Sequence, residues 1–267
     1  MNDYMWFTIK IGLASVVVMM TLLWLIAVVR RNAGWVDLGW VLGLMLLAVL
    51  YAAFGQGYEP RKMIVALLVS LWGVRLGGML LRRLLTEEED KRYQKIRASF
   101  GPGANWKFFL FFQFQGLLDV VLAIPFFVMC FSSSGRIASL EWLGIAVWAA
   151  GFIGEAISDA QLKAFKDDPG NRGKVCEAGF WYYSRHPNYF FEWLIWVGYF
   201  LMALEAPWGW VSVISPLLML HFLLNVSGVP LAEEQSLRSR GDAFREYQRT
   251  TSVFIPLPRR RNVPILE

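Results

Sequence analysis

Residues 5–29 read MWFTIKIGLASVVVMMTLLWLIAVV, and Lys10 is the one charged side chain among them. Wound as an α-helix at 1.5 Å per residue, such a run extends roughly 37 Å, more than the roughly 30 Å hydrocarbon core of a bilayer. It is too long for the apolar region of a signal peptide. No basic stretch precedes it and no small-residue cleavage site follows it. The expectation is a retained membrane helix, with Lys10 reaching toward the outer interface along its own aliphatic stem.

Outward from this run the same pattern recurs. Apolar stretches at 36–54, 63–81, 108–131, 142–159, 188–204 and 208–226 predict six further spans, seven in all. Hydrophobic residues make up 56% of the 267-residue chain, above the roughly 45–50% of an average soluble domain, and the excess sits in these runs. The 13 Trp and 20 Phe suit aromatic anchoring at the membrane interfaces. The fold class expected is therefore all-α: a polytopic integral membrane protein forming a single membrane domain over residues 1–267.

The cations set a direction. Arg30 and Arg31 follow the first run, and the loop after the third carries Arg82, Arg83, Lys91, Arg92, Lys95, Arg97 and Lys107. The loop after the fifth carries Lys163, Lys166, Arg172, Lys174 and Arg185, and the tail is again Arg-rich. The opposite loops hold Arg61, Lys62 and Arg136. The positive-inside rule then puts the N-terminus outside and the C-terminus in the cytoplasm. The net charge of +5 reads as topology and contact with anionic membrane lipid, with no nucleic-acid partner. Cys130 and Cys176 fall on opposite sides of the membrane in this scheme and offer neither a disulfide framework nor a metal quartet. No metal is expected.

Polar residues inside the runs are costly and point to a role. Asp37 opens the second run. Gln115 and Asp119 lie four residues apart in the fourth, on one helix face. Glu155 and Asp159 repeat that spacing in the fifth, Asn188 and Glu192 in the sixth, and His221 and Asn225 in the seventh. Each pair has a plain reading as an interhelical hydrogen bond. Their shared bias toward the cytoplasmic half favours a buried polar site.

Between the fifth and sixth runs, Asp159, Lys163 and Lys166 share a helix face, and the helix ends at the Pro169–Gly170 break before Asn171, Gly173 and Lys174. Small turn residues followed by a cation bring backbone N–H groups and an ammonium close to a phosphate. Basic cytoplasmic loops equally exist for topology alone. Then Tyr183-Ser-Arg185-His186 leads into Pro187-Asn188-Tyr189. Pro187 starts a helix, and a helix N-terminus with cations in front of it favours an anionic ligand. Arg185 adds the prospect of a bidentate phosphate contact.

At Ser184-Arg185-His186-Pro187-Asn188-Tyr189-Phe-Phe-Glu192 the sequence resembles two groups of membrane enzymes. One is the steroid 5α-reductase family with its bacterial relatives, which uses NADPH. The other is the isoprenylcysteine carboxyl methyltransferase family, which uses S-adenosylmethionine. Glu233-Glu234 and Tyr247…Phe254-Ile255-Pro256 are similar to features of both. The stretch Ser158-Asp159-x-Gln-Leu-Lys163-x-Phe-Lys166 with Asn171-x-Gly173-Lys174 looks like the reductase pattern. So do Asp37-x-x-Trp40, Trp72-Gly-Val-Arg75-Leu, Glu89-Asp90-x-Arg92-Tyr93 and Ser227-Gly228-Val-Pro230. The resemblance covers roughly residues 30–258 and is strongest from 155 to 200.

The resemblance implies a bacterial inner-membrane enzyme that reduces the Δ4 double bond of a 3-oxo steroid or a similar lipid enone. Its alternative is the methyltransferase. Cofactor residues implied are Glu155, Asp159, Lys163, Lys166, Asn171, Lys174, Tyr183, Arg185, His186, Asn188, Tyr189, Glu192, Glu233 and Glu234, on a cofactor half of about 140–258. A substrate half of about 1–135 is expected to take the lipophilic substrate. The vertebrate enzymes carry a Gln-Glu pair where Asp37-Leu38 falls and a Tyr where Trp72 falls. Reduction by hydride addition leaves negative charge on the ketone oxygen, which needs a hydrogen-bond donor. Asp37 is the expected donor or donor-orienting residue, because a carboxyl buried in hydrocarbon retains its proton. Asp119 is the second candidate. Trp72 either donates through its indole N–H or walls the cavity.

Overall fold

The computed structural model describes residues 3–259. Among them are eleven α-helices joined by short 3₁₀ and π turns, and no β-strand beyond an isolated parallel bridge between Ser184 and Ser252. The chain divides into two compact units, Met1–Ala138 with Ala203–Ile214, and Ser139–Met202 with Ser215–Glu267.

In the first unit α1 (Asp3–Arg30), α2 (Trp35–Phe54) and α3 (Glu59–Thr86) are followed by the short α4 (Lys91–Phe100), then α5 (Ala104–Leu122) and α6 (Ile124–Phe131). The inner stripe of α1 is Thr8, Gly12, Val16, Met20, Leu23 and Ala27, the three- and four-residue spacing that keeps side chains on one helix face. Its remaining faces expose large apolar residues such as Val18, Leu22 and Leu25. In lipid those outward residues need no protein cover, and association rests on packing at the inner stripe. At the α2–α3 end, the buried Arg61 donates to the carbonyls of Ser132 (3.2 Å), Ser134 (3.0 Å) and Arg136 (2.6 Å). Lys62 donates to the carbonyl of Gly55 at 3.0 Å. Two of the cations expected on the outer side are thus inside the protein, satisfying backbone acceptors that hydrocarbon would leave bare.

The second unit holds α7 (Ser139–Asp167), α8 (Pro187–Ala203), α9 (Ile214–His221), α10 (Val229–Arg240) and α11 (Asp242–Thr250). Helices α7 and α8 meet backbone to backbone. A Cβ at Gly151 would lie 2.8 Å from the carbonyl oxygen of Phe191, and one at Gly198 would lie 2.8 Å from the amide of Trp148. Glycine at both positions permits the approach, the small-residue packing expected of membrane helices.

Five helical runs are long and apolar enough to cross a membrane: Asp3–Arg30, Trp35–Phe54, Glu59–Thr86, Ser139–Asp167 and Gly209–Arg240. A sixth is the pair α5–α6, bent by 40°. Seven spans were expected, and two features account for the difference. The run 108–131 is broken at Ala123, because Pro125 lacks an N–H and its ring crowds the preceding turn. The run expected at 188–204 is α8, whose 17 residues extend roughly 26 Å at 1.5 Å each, at the lower limit of spanning lengths. Helix α7 outruns its expected span and carries Asp159, Lys163 and Lys166 before ending at Asp167.

Candidate functional site

In the first unit the motifs singled out in sequence lie against one another. The Trp72 ring, 1% exposed, stands edge-on to Trp40 with centroids 5.5 Å apart. Asp37 accepts from Arg92 Nη2 at Oδ1 (3.1 Å) and Oδ2 (2.9 Å), and from the Tyr93 hydroxyl at Oδ1 (2.6 Å). Asp37 is thus an acceptor in this group, and the O–H it holds belongs to Tyr93. Glu89 accepts from the amide of Ala33 (2.7 Å) and from Arg97 (2.7 Å), which ties α4 to the α1–α2 turn. Asp90 caps α4 by accepting from the Arg92 amide at 2.8 Å and pairs with Arg83. Partial burial alone would raise the Asp90 carboxyl, but the Arg92 amide and the Arg83 guanidinium hold it below its ordinary value. Asp90→Ala is expected to cost about 1 kcal/mol and to speed hydrogen exchange at residues 91–94. Unchanged exchange there would remove the capping role.

Asp119 stands apart. It is fully buried on α5, and among the described residues neither carboxyl oxygen has a hydrogen-bond partner. The carboxyl presses on α2 at Gly43, where a Cβ would lie 2.1 Å from Oδ2. Any larger residue at position 43 displaces it.

In the second unit a polar cluster surrounds the start of α8. Glu233 on α10 is its hub. It accepts from Arg185 Nε (2.7 Å) and Gln248 Nε2 (2.7 Å), and its Oε1 lies 3.2 Å from His186 Nε2. Arg185 Nη1 also donates to the carbonyls of Gln248 (3.1 Å) and Thr251 (2.6 Å). The guanidinium expected to meet phosphate thus clasps the end of α11. His186 is buried and stacks on Tyr189, with centroids 5.3 Å apart and planes 4° from parallel.

One turn into α8, Asn188 Nδ2 donates to Asp159 Oδ1 of α7 at 3.3 Å, and Asn188 Oδ1 is buried without a partner. Glu155 and Glu192 lie buried in the same unit, the latter accepting from Trp196 Nε1 at 2.9 Å. The sequence spacing placed Asp159 with Glu155, and Asn188 with Glu192. The fold joins Asp159 to Asn188 across the two helices.

The other expected residues spread over the end of α7, α10 and the loops between α7 and α8. Lys163 is exposed and pairs with Asp167. Lys166 and Lys174 are exposed, and the Lys174 carbonyl accepts from Arg240 at 2.8 Å. Asn171 donates to the Phe165 carbonyl at 3.1 Å, closing the end of α7. Glu234 is exposed and pairs with Arg238. Tyr183 is exposed, and its carbonyl accepts from the Leu257 amide at 3.1 Å.

Several participants were not among the expected site residues. Gln248 was one polar residue of an amphipathic helix, yet it holds the second oxygen of Glu233. Gln161 Oε1 accepts from the Phe180 amide at 2.9 Å and fixes the loop before α8. Arg259 lies over the Tyr182 ring at 4.2 Å and pairs with Glu177 at 2.6 Å. Among the described residues no cluster of three or more His, Cys, Asp or Glu is arranged to hold a metal ion.

An uncharacterised protein of Schizosaccharomyces pombe is 26% identical to the chain, over 73% of this chain and 64% of its own length. The chain thus spans less than two thirds of that relative. No solved structure matches it at a significant level. The model of the family described as a protein of unknown function, DUF1295, matches residues 23–251. The chain belongs to that family, which is related to steroid 5α-reductase-like proteins.

Proposed function

We propose that the protein is an NADPH-dependent reductase of lipid enones, of which a 3-oxo-Δ4 steroid is the representative substrate. The observation that carries this reading is the cluster at the start of α8. There a stacked His186–Tyr189 pair and the orphaned, buried Asn188 Oδ1 lie within four consecutive residues of the motif that resembles the reductases. An orphaned acceptor beside a flat ring pair suits a planar group bearing N–H donors, such as a carboxamide. Asp159 orients the Asn188 amide, and Glu233 holds His186. Lys166 and Lys174 supply positive charge for phosphate. When bound, NADPH supplies the hydride.

The reaction also needs a hydrogen bond to the ketone oxygen, where charge develops. Asp37 is occupied as an acceptor, so the role passes to Asp119. An isolated carboxylate in hydrocarbon is prohibitively costly, and the neutral acid is a donor. We place the protein in a bacterial inner membrane with α8 as a seventh span, since 17 residues is the lower end of spanning lengths. The N-terminus then lies outside and the cationic loops lie in the cytoplasm.

The test is direct. Purified protein with NADPH and progesterone is expected to show steroid-dependent loss of nicotinamide absorbance and a product two mass units heavier. Binding of S-adenosylmethionine without NADPH binding would overturn the reading in favour of methyl transfer. NADPH binding without steroid turnover would leave the cofactor site and remove the steroid.

A further inference from the structure

The segment after α11 lies as a strap along the loop before α8. The Arg185 amide donates to the Ser252 carbonyl at 2.8 Å, Ser184 Oγ to the Phe254 carbonyl at 2.7 Å, and the Leu257 amide to the Tyr183 carbonyl at 3.1 Å. Phe254 faces inward and is 6% exposed, against the rings of Phe190 (5.7 Å) and Trp193 (5.9 Å) on α8. Val253, Ile255 and Leu257 face outward and are 37, 52 and 51% exposed, beside the exposed Tyr182 and Tyr183. Apolar residues on the outer edge of a strap this firmly tied call for a partner.

Two observations fix the height of that edge. Phe254 packs on the first two turns of α8. The loop beneath is tied to α7 at Ser158 and Gln161, through Trp181 Nε1 (2.9 Å) and the Phe180 amide (2.9 Å). From Ser139, where α7 begins, to Ser158 is roughly 28 Å of helix at 1.5 Å per residue, close to one hydrocarbon thickness. The edge therefore sits where a span of α7 emerges from lipid, the level at which Tyr side chains concentrate.

We propose that Val253, Ile255 and Leu257, flanked by Tyr182 and Tyr183, form an interfacial anchor immersed in the boundary between lipid headgroups and acyl chains. The proposal rests on the membrane placement of α7 and α8 and requires neither cofactor nor substrate. The anchor holds the loop carrying Arg185 and His186 at the membrane surface, where a lipophilic reactant arrives.

The test is nitroxide labelling of cysteines introduced singly at Val253, Ile255 and, as an aqueous control, Arg245. The full-length protein is placed in vesicles of phosphatidylethanolamine and phosphatidylglycerol. The native Cys130 and Cys176 are buried; unlabelled background is measured on the parent protein. Collisions with oxygen are expected to exceed those with a water-soluble nickel chelate at 253 and 255, with the ratio inverted at 245. Three results would overturn the anchor. The nickel chelate could dominate at all three sites. The labels could be shielded from both reagents until residues 260–267 are removed, so that the chain's own tail covers the edge. Spin–spin broadening lost on dilution with unlabelled protein would mean that a second copy covers it. The labelling needs neither NADPH nor progesterone, and progesterone turnover is measured separately, so the anchor and the reductase reading fail separately.

Discussion

Replacing Glu233 with Ala is expected to lower the unfolding free energy by about 3–5 kcal/mol, the cost of removing one partner of a buried ion pair. Arg185 and Glu233 are only 11% and 15% exposed, so solvent screens the pair little. The loss spreads further than one bond. Glu233 is the shared acceptor for Arg185 and Gln248 and lies against His186. Its removal leaves a guanidinium on two backbone carbonyls with no counter-charge. Melting of the detergent-solubilised protein is expected to fall by roughly 6–20 °C on the usual scaling for a chain of this size. NADPH binding is expected to weaken with it, since His186 loses the carboxylate that orients its ring. Glu233→Gln retains an acceptor for Arg185 and is expected to fall between the two. A melting point within about 2 °C of the parent for Glu233→Ala would remove the hub role.

Asp119→Leu is expected to act in opposite directions on stability and turnover. Replacing an unpartnered buried polar group with an apolar one removes a penalty of about 1–3 kcal/mol, so the melting point should rise. Asp119→Asn keeps the unsatisfied polarity and should not stabilise. If Asp119 donates to the ketone oxygen, the Leu variant should lose roughly 10²–10³-fold in kcat, the usual effect of removing one such donor. Its Kd for NADPH should stay unchanged, because Asp119 and the α8 cluster belong to different units. Stability measured by melting and turnover measured by nicotinamide absorbance separate the two effects. A destabilised Leu variant would mean the carboxyl has a partner in the folded protein. Full turnover in a stabilised variant would leave Asp119 a structural burden and end its assignment as donor. A gain in stability coupled to a loss of function is the pattern expected where local rules are broken at a working site.

The runs of apolar residues determined by themselves that the chain is helical and made for a membrane. Span length and helical periodicity are properties of a continuous stretch, and α1, α2, α3 and α7 follow from them. The sequence also singled out Asp37, Asp119 and Asn188, because a polar side chain in or beside an apolar run is conspicuous without any knowledge of its neighbours, His186 as a cation before a helix start, and Glu233 through the family resemblance alone. What each of these touches was decided only by the tertiary structure. Arg185 finds Glu233 forty-eight positions along the chain, and Asp37 finds Arg92 and Tyr93 across α4. Gln248 became a participant although nothing local marked it. The same holds for Arg61, counted as an outer-loop cation and found satisfying three carbonyls inside the protein. The physical reason is common to all of them. Hydrophobic period is written in neighbouring residues, whereas a buried donor or acceptor must be paired with whatever group the folded chain brings within about 3 Å of it.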